Sequence, residues 1–224
     1  MSLQLLPFYL VCDESGSMAG APIDAINASL PELHQEIGSN PVVADKTRFS
    51  LIGFSDHADV LLPLADLSTV TAMPKLSAGG GTNYEAAFTT LRQTIESDVT
   101  SLKQAGNTVY RPAVFFLSDG YPNRNNWQSA FQSLTDANWR PRPNILAFGF
   151  GSADENVIRQ VATTRAFMAN GTIGPADALR EFAQSLIRSI VNSVTPSASN
   201  PTGGANLSMP DNVPGFTNIS APVV

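Results

Sequence analysis

The chain has 224 residues, of which 43% are hydrophobic and 14% are charged, and its formal net charge is −6. Length and composition together indicate one globular domain with an ample hydrophobic core and an extension. The acidic balance and the absence of a basic cluster argue against nucleic acid as the main partner and against adsorption to anionic membranes, and the single cysteine, Cys12, excludes an internal disulfide framework.

Apolar strand-like runs alternate with helical patterns over residues 1–195, which predicts one α/β domain. We expect a doubly wound, mostly parallel central sheet with one antiparallel edge strand and helices on both faces. In chain order the predicted elements are a strand (6–12), a helix (22–38), a strand (47–54), the antiparallel edge strand (58–62), a helix (83–104), a strand (112–117), a helix (127–138), a strand (144–150), a helix (155–164), a strand (166–169) and a closing helix (177–194).

Local signals refine three of these elements. Pro31 falls inside the first helix and predicts a kink. Pro63 predicts the end of the edge strand, because proline cannot donate to a sheet ladder. Thr82 is placed as the N-cap of the second helix, with Glu85 three residues later as in a capping box.

Residues 196–224 form a second unit that is rich in Pro, Ser, Asn and Gly and nearly devoid of charge. Such a composition is typical of a linker or a disordered tail. The unit also carries enough apolar side chains to dock on the domain, so we expect an ordered extension along the domain surface. These side chains are Leu207, Met209, Val213, Phe216 and Ile219.

The junction after the first predicted strand carries the most informative motif. Residues 13–17 read Asp-Glu-Ser-Gly-Ser directly after an apolar run. Alternate residues of an extended segment face the same way, so Asp13, Ser15 and Ser17 can converge on one point. Convergence of oxygen atoms alone suits a hard divalent cation, above all Mg²⁺, with Mn²⁺ or Ca²⁺ as substitutes.

Two later segments can complete the ligand shell. Thr82 lies in the Gly-rich segment 79–83, and Asp119 follows the strand predicted at 112–117. In parallel α/β sheets, ligand sites lie beyond the carboxyl ends of the strands, at the switch in strand order. A divalent cation would turn the repulsion between Asp13 and Asp119 into binding energy, while the hydroxyls add no further charge.

These motifs resemble a von Willebrand factor A domain over roughly residues 5–193. In that family an Asp-x-Ser-x-Ser motif, a Thr in a Gly-rich loop and an Asp-Gly form the metal-ion-dependent adhesion site. The matching residues here are Asp13, Ser15, Ser17, Thr82 and Asp119. Segments 76–82 and 110–120 are similar to the bacterial TerY-type branch associated with tellurium resistance, although a single cysteine cannot build the zinc-binding tail that members of that branch often carry.

The resemblance implies a protein-binding module rather than an enzyme. An open metal position would receive an Asp or Glu of a protein partner, and the Gly-rich loop would shift between weak and strong binding states. The TerY-type branch implies a bacterial stress or phosphorylation-linked complex; the motifs specify neither the partner nor the oligomeric state. Candidate residues for partner contact on the rim are Met18, Asn83, Tyr84, Tyr121, Asn123 and Arg124, with Trp127 beside them.

Other functions stay open from the sequence. A Mg²⁺ ion with open positions could polarise a phosphoryl oxygen in a phosphoester hydrolase, with Glu14 as the nearest acid outside the ligand set. A secreted adhesin is the third alternative. The 13–17 motif alone is also common in solvated turns, and we expect His57, between Asp56 and Asp59, to lie in an exposed turn rather than at a second metal site.

The sequence also bears on the compartment. No segment has the roughly 18 consecutive apolar residues that cross a bilayer. The apolar start lacks a basic region, is interrupted by Pro7 and ends at Asp13, which is not typical of a secretory signal. We therefore expect a cytoplasmic protein in which the Cys12 thiol is buried and inert.

Overall fold

The computed structural model describes residues 3–123, 126–173 and 212–220, and helical positions at 177, 180–181, 184–185, 187–188 and 190. Within this part of the chain, eight strands form one sheet. The strands are β1 (Gln4–Asp13), β2 (Thr47–Phe54), β3 (Ala58–Ala65), β4 (Thr108–Val109), β5 (Ala113–Ser118), β6 (Asn144–Gly149), β7 (Arg165–Ala169) and β8 (Phe216–Asn218). The helices with continuous bounds are α1 (Ala21–Gly38), α2 (Pro41–Lys46), α3 (Tyr84–Gln104), α4 (Trp127–Thr135) and α5 (Glu155–Val161).

Strand β1 lies at the centre of the sheet, parallel to β2 on one side and to β5 on the other. Beyond β2 lies the antiparallel edge strand β3, and beyond β5 lie β6 and β7, both parallel. The short strand β4 pairs with the first residues of β1. The strand order therefore reverses between β1 and β5, which is where open α/β sheets place their ligand crevice.

The predicted fold class is confirmed, and residues of the extension add a second antiparallel edge strand. This strand, β8, pairs with β7 at the edge opposite β3. Val213, Phe216 and Ile219 are buried, and Phe216 meets Phe148 edge to face at 5.6 Å. The extension thus covers an edge that would otherwise present unpaired backbone groups, while Leu207 and Met209 lie outside the described residues.

Side chains of β1 alternate between two hydrophobic cores, one on each face of the sheet. Tyr9 and Val11 enter the core that α3, α4 and α5 cover. The other face packs against α1 and includes Leu6, Phe8, Leu10 and Cys12. Burial raises the pKa of the Cys12 thiol, in keeping with a structural role for this residue. Helices therefore cover both faces, so the sheet presents its strand ends, rather than its faces, to ligands.

One of the two proline predictions was wrong. Helix α1 continues through Pro31 as one helix, so the kink at Pro31 stays a prediction. The ladder between β2 and β3 resumes after Pro63, with Ala65 opposite Phe49, so the predicted end of the edge strand was wrong. The register shifts between Phe49 and Leu51, and at such an irregularity a residue without an N–H is tolerated.

Two helices end earlier than predicted because the backbone after each of them forms other hydrogen bonds. After α4, the Asp136 carboxylate accepts the Asn138 N–H at 2.8 Å, which forms a turn in place of another helical residue. After α5, the N–H groups of Thr163 and Thr164 both donate to the Ile145 carbonyl at 3.0 Å, which draws the chain onto the sheet.

Two short elements have no counterpart in the prediction. Helix α2 has six residues, and strand β4 has two. Neither is long enough to show a hydrophobic period in the sequence. The predicted closing helix is helical at the described positions up to 190, and 191–194 lie outside them. None of the helices in the described residues is long and apolar enough to span a bilayer.

Candidate metal centre

The predicted metal ligands lie at the carboxyl ends of the two central strands. Asp13 is the last residue of β1, and Asp119 directly follows Ser118, the last residue of β5. Because Cys12 pairs with Leu117 across these strands, the two aspartates leave the sheet side by side. A tight turn at Gly16–Met18 then brings the chain back over this end of the sheet.

Hydrogen bonds join four of the five predicted ligands. The Asp13 Oδ1 atom accepts the Ser15 N–H at 2.8 Å, and the Ser15 and Ser17 Oγ atoms are 3.0 Å apart. The Ser17 hydroxyl donates to Asp119 Oδ1 at 2.7 Å. Two loops that are 102 positions apart in the chain are thus connected directly through side-chain oxygens.

Thr82 borders the same group of atoms through Gly120. A Cβ atom built on Gly120 would lie 3.2 Å from Thr82 Oγ1 and 3.7 Å from Ser17 Oγ. Both hydroxyls therefore face one point beside Asp119, and glycine at position 120 leaves that point open. All five predicted ligands are brought together.

The Gly-rich loop that carries Thr82 is attached to the loop after β1. The Gly16 N–H donates to the Gly80 carbonyl at 3.0 Å, and the Gly79 N–H donates to the Glu14 carbonyl at 2.7 Å. The Glu14 carboxylate also accepts the Ser77 N–H at 2.6 Å. Gly80 has a φ of 77°, in the left-handed region that favours glycine. These bonds hold the loop that carries Thr82 against the loop after β1.

The opposite side of this loop is attached to the β2–β3 connection. Asp56 Oδ1 accepts the Gly81 N–H at 3.0 Å. Asn83 donates its backbone N–H to the Ser55 carbonyl at 2.8 Å and its side-chain amide to the Asp56 carbonyl at 3.0 Å. Asp56 and His57 are exposed, as predicted for this turn, and Asp56 additionally positions the Gly-rich loop.

Two buried carboxylates make the site electrostatically unfavourable without a cation. Asp13 is fully buried and Asp119 is 5% exposed. Burial raises the pKa of Asp13 to about 6, against the opposing effect of hydrogen bonds from Ser118 and Ser15. Burial likewise raises the pKa of Asp119, against the effect of Ser17. The ion pairs Arg48–Asp66, Arg159–Glu155 and Arg180–Asp177 involve neither group.

The donor set fits a hard divalent cation. Two carboxylates and three hydroxyls offer oxygen atoms alone, and the two negative charges balance a 2+ ion. Within the described ranges, no group of three or more His, Cys, Asp or Glu side chains could hold a metal ion. The candidate site instead combines two carboxylates with three hydroxyls, so hydroxyl groups would supply most of its ligands.

Sequence reasoning missed Ser118 as part of the site. Its buried hydroxyl donates to Asp13 Oδ2 at 2.6 Å and accepts the Gly120 N–H at 3.3 Å. It therefore holds the oxygen of Asp13 that Ser15 does not bind. The signal was available, because a polar residue at the end of an otherwise apolar strand, next to a predicted ligand, has to find a buried partner.

The predicted partner rim is only partly on the surface. Tyr121 is 61% exposed and Asn123 is exposed. Met18 is fully buried and Tyr84 is 1% exposed, so neither can contact a partner, and Trp127 is likewise in the core. Asn83 is the N-cap of α3, where its side chain accepts the Ala86 N–H at 3.1 Å. Arg124 lies outside the described residues.

The prediction of the N-cap of α3 was wrong by one residue. The predicted N-cap of α3 was Thr82, but Asn83 occupies that position. Thr82 instead directs its hydroxyl toward Gly120, at the candidate metal site. Because Asn83 is the N-cap, the Thr82 hydroxyl is not used for capping. The helix begins at Tyr84, one residue later than its sequence pattern indicated.

Comparisons with known proteins agree with this architecture. The solved structures with the same fold include the ArnB paralog VWA2 from Sulfolobus acidocaldarius, with a TM-score of 0.58 and 18% identity over 84% of this chain and 46% of that chain. A second is the pilus adhesin SpaC from Lactobacillus rhamnosus GG in its open conformation, with a TM-score of 0.63 and 14% identity over 86% of this chain and 30% of that one.

A third is the von Willebrand factor type A protein from Catenulispora acidiphila, with a TM-score of 0.57 and 16% identity over 84% of this chain and 43% of that chain. This chain thus spans less than half the length of the three solved structures. None of the curated proteins matches it in sequence. The model of the von Willebrand factor type A domain matches residues 8–185. The chain therefore belongs to the von Willebrand factor type A domain family.

Proposed function

We propose that this chain is a metal-dependent protein-binding module. Asp13, Ser15, Ser17, Thr82 and Asp119 would hold one Mg²⁺, and an Asp or Glu of a partner protein would occupy a remaining position on the ion. The observation that carries the proposal is the convergence of oxygen atoms from three separate loops beside two buried carboxylates. When bound, the ion supplies a positive charge that offsets both carboxylates and attracts a third.

The surroundings of the site support contact with a large ligand. Ser17 is exposed while Asp13 and Thr82 are buried, so the ligand set opens toward the solvent on one side. Exposed Tyr121 and Asn123 border this opening on the loop after β5. An exposed tyrosine next to a charged anchor is typical of residues that dominate binding energy at interfaces.

Binding is favoured over hydrolysis because Glu14, the candidate general base, is already engaged in the loop. Glu14 was the candidate, but its Oε1 atom accepts the Ser77 N–H. Its Oε2 atom lies over Gly53, only 1.8 Å from where a Cβ of that residue would stand. Both oxygens of Glu14 therefore lie against the backbone, where the carboxylate holds the loop in place. We accordingly propose that the chain does not act as a phosphoester hydrolase.

A direct test measures Mn²⁺ binding by calorimetry, with Mn²⁺ standing in for Mg²⁺. Wild-type protein should bind one ion, and Asp119→Asn should lose binding because it removes one of the two charges. Asp136→Asn is the matched control, since Asp136 is an exposed turn residue far from the site. Absence of Mn²⁺ binding by folded wild-type protein would refute the proposal.

The cellular setting is a separate proposal. We infer from the resemblance to the TerY-type branch that the module acts in the cytoplasm, in a bacterial stress or phosphorylation-linked complex; none of the solved structures compared above represents that branch. The fold similarity to the SpaC pilus adhesin favours a surface adhesin as the alternative. Fractionation of the native cells separates the two, because an adhesin would be recovered from the cell surface or the medium.

A further inference from the structure

The hydroxyl of Tyr84 is buried without a partner. Tyr84 is the first residue of α3 and is 1% exposed. Among the described residues, its oxygen is the buried side-chain polar atom that makes no hydrogen bond. An unsatisfied buried hydroxyl destabilises the folded state, and phenylalanine would fill the same space without this cost. The hydroxyl therefore calls for a functional explanation.

The ring of Tyr84 packs against residues of the strands that end at the candidate metal centre. It packs edge to face against Phe116 at 5.0 Å and against Phe54 at 5.7 Å. Phe116 lies two residues before Ser118 on β5, so both side chains point to the same face of the sheet. Phe54 is the residue that pairs with Asp13 across β1 and β2. Tyr84 thus sits on the face to which Ser118 and Asp13 both turn.

The strand geometry places the phenol on the side of the sheet where Ser118 lies. Tyr84 packs on Phe116, and Ser118 follows Phe116 by two residues on the same face of β5. The Tyr84 hydroxyl nevertheless forms no hydrogen bond with Ser118 or with any other described residue.

Ser118 has the capacity to accept this hydroxyl. A serine hydroxyl has one donor and two acceptor lone pairs. The donor of Ser118 is used by Asp13, and one lone pair accepts the Gly120 N–H. One lone pair is left for another donor. Tyr84 is a buried, unpaired O–H group on the correct face of the sheet.

We propose that Tyr84 and Ser118 are positioning residues for Asp13, joined in a chain in which Tyr84 donates to Ser118 and Ser118 donates to Asp13 when a divalent cation is bound. This inference rests on the proposed function, because it concerns the same site. The chain fixes the second oxygen of Asp13 and so holds the carboxylate toward Ser15 and Ser17. Hydrogen bonds that orient a metal ligand in this way commonly change metal affinity by about 10–100-fold.

The experiment compares two tyrosine variants in the full chain, with Mn²⁺ alone as the probe. Tyr84→Phe keeps the ring and its aromatic contacts but removes the unpaired hydroxyl. Tyr9→Phe is the matched control, because Tyr9 is equally buried but its hydroxyl already donates to Asp98 of α3 at 3.0 Å, and Tyr9 lies four residues before Asp13 on β1. Calorimetry gives the Mn²⁺ affinity, and thermal unfolding with chelator gives the stability of the metal-free protein.

The two variants should show opposite effects. Tyr84→Phe should bind Mn²⁺ about tenfold more weakly while its metal-free unfolding temperature stays equal to or above that of the wild type. Tyr9→Phe should lower the metal-free unfolding temperature and leave the Mn²⁺ affinity unchanged. In the Ser118→Ala background, Tyr84→Phe should cause no additional loss of affinity, because its effect passes through Ser118.

Each contrary result has a distinct meaning. Wild-type protein that binds Mn²⁺ together with a Tyr84→Phe variant of unchanged affinity would overturn the positioning chain and leave the metal site standing. A full additional loss from Tyr84→Phe in the Ser118→Ala background would also overturn it. Folded wild-type protein that takes up no Mn²⁺ would overturn both this inference and the proposed function.

Discussion

Replacing Asp13 with asparagine should stabilise the metal-free protein at neutral pH. Burial raises the pKa of Asp13 from its ordinary value of 3.8 to about 6, so the native state holds a proton on this group more tightly than the unfolded chain does. At neutral pH the difference corresponds to about 3 kcal/mol of destabilisation. Asparagine is neutral and avoids it, but loses the acceptor for the Ser118 hydroxyl, which reduces the expected gain to about 2 kcal/mol.

The pH dependence has a defined direction. The pKa of Asp13 is higher in the native state than in the unfolded chain. Its contribution to the stability of the metal-free protein is therefore most favourable below pH 3.8 and is lost as the pH rises through about 6. The advantage of Asp13→Asn over wild type should therefore be largest at pH 7 and should shrink as the pH is lowered through this range. Added Mg²⁺ should reverse the order, since only the wild type can bind the ion and be stabilised by it.

The assay is denaturant unfolding with chelator at several pH values, repeated with saturating Mg²⁺. Asp136→Asn serves as the control, because Asp136 is exposed and its exchange should leave both series unchanged. The reasoning is refuted if Asp13→Asn is less stable than wild type at pH 7 in chelator. A stability difference that stays constant across the pH range would refute it equally.

Three further substitutions test other parts of the site and the fold. Thr82→Val should weaken Mn²⁺ binding at least tenfold in calorimetry with little change in metal-free unfolding, since it removes one hydroxyl ligand. Gly53→Ala should lose about 1–3 kcal/mol in denaturant unfolding, because the new Cβ would lie 1.8 Å from Glu14 Oε2, whereas Gly79→Ala meets no atom within 4 Å. Phe216→Ala should lose about 3 kcal/mol in the same assay, because it empties a buried site under β8.

Controls make these three outcomes decisive. Unchanged Mn²⁺ affinity in Thr82→Val would exclude that residue from the ligand set. Equal stabilities of the Gly53→Ala and Gly79→Ala variants would show that Glu14 can leave its place without consequence. Thr217→Ala is the control for Phe216, since Thr217 is exposed on the same strand; similar effects of the two would mean that β8 contributes little to stability.

The convergence of the predicted site residues was only partly predictable from the sequence. The position of Asp119 after a buried strand placed it at the same end of the sheet as Asp13, and this rule depends only on residue order and strand direction. Alternation along an extended segment was the wrong reason for including Ser17, because β1 ends at Asp13 and Ser17 lies in the turn at Gly16–Met18. The turn brings the Ser17 hydroxyl to Asp119 instead.

The partner rim was less predictable, because exposure depends on the phase of a helix. Tyr84 was placed on the rim for its composition, yet it continues the apolar stripe of α3 that Phe88, Leu91 and Ile95 form at helical spacing. Extending that stripe by one turn would have predicted its burial. Met18 gave no such signal, since a single turn has no period from which to infer a buried face.

The N-cap of α3 departs from the local sequence pattern at a residue of the candidate site. A Thr three residues before a Glu satisfies the capping-box pattern at Thr82, whereas Asn83 is followed three residues later by Ala86 and does not satisfy it. In the structure Asn83 accepts the Ala86 N–H and also donates to the β2–β3 connection. One asparagine thus starts the helix and fixes the preceding residue to the sheet, so the Thr82 hydroxyl is left for the cluster around Asp119. A threonine used as a cap could not have served as a ligand, and the exception to the local pattern falls where a functional site requires it.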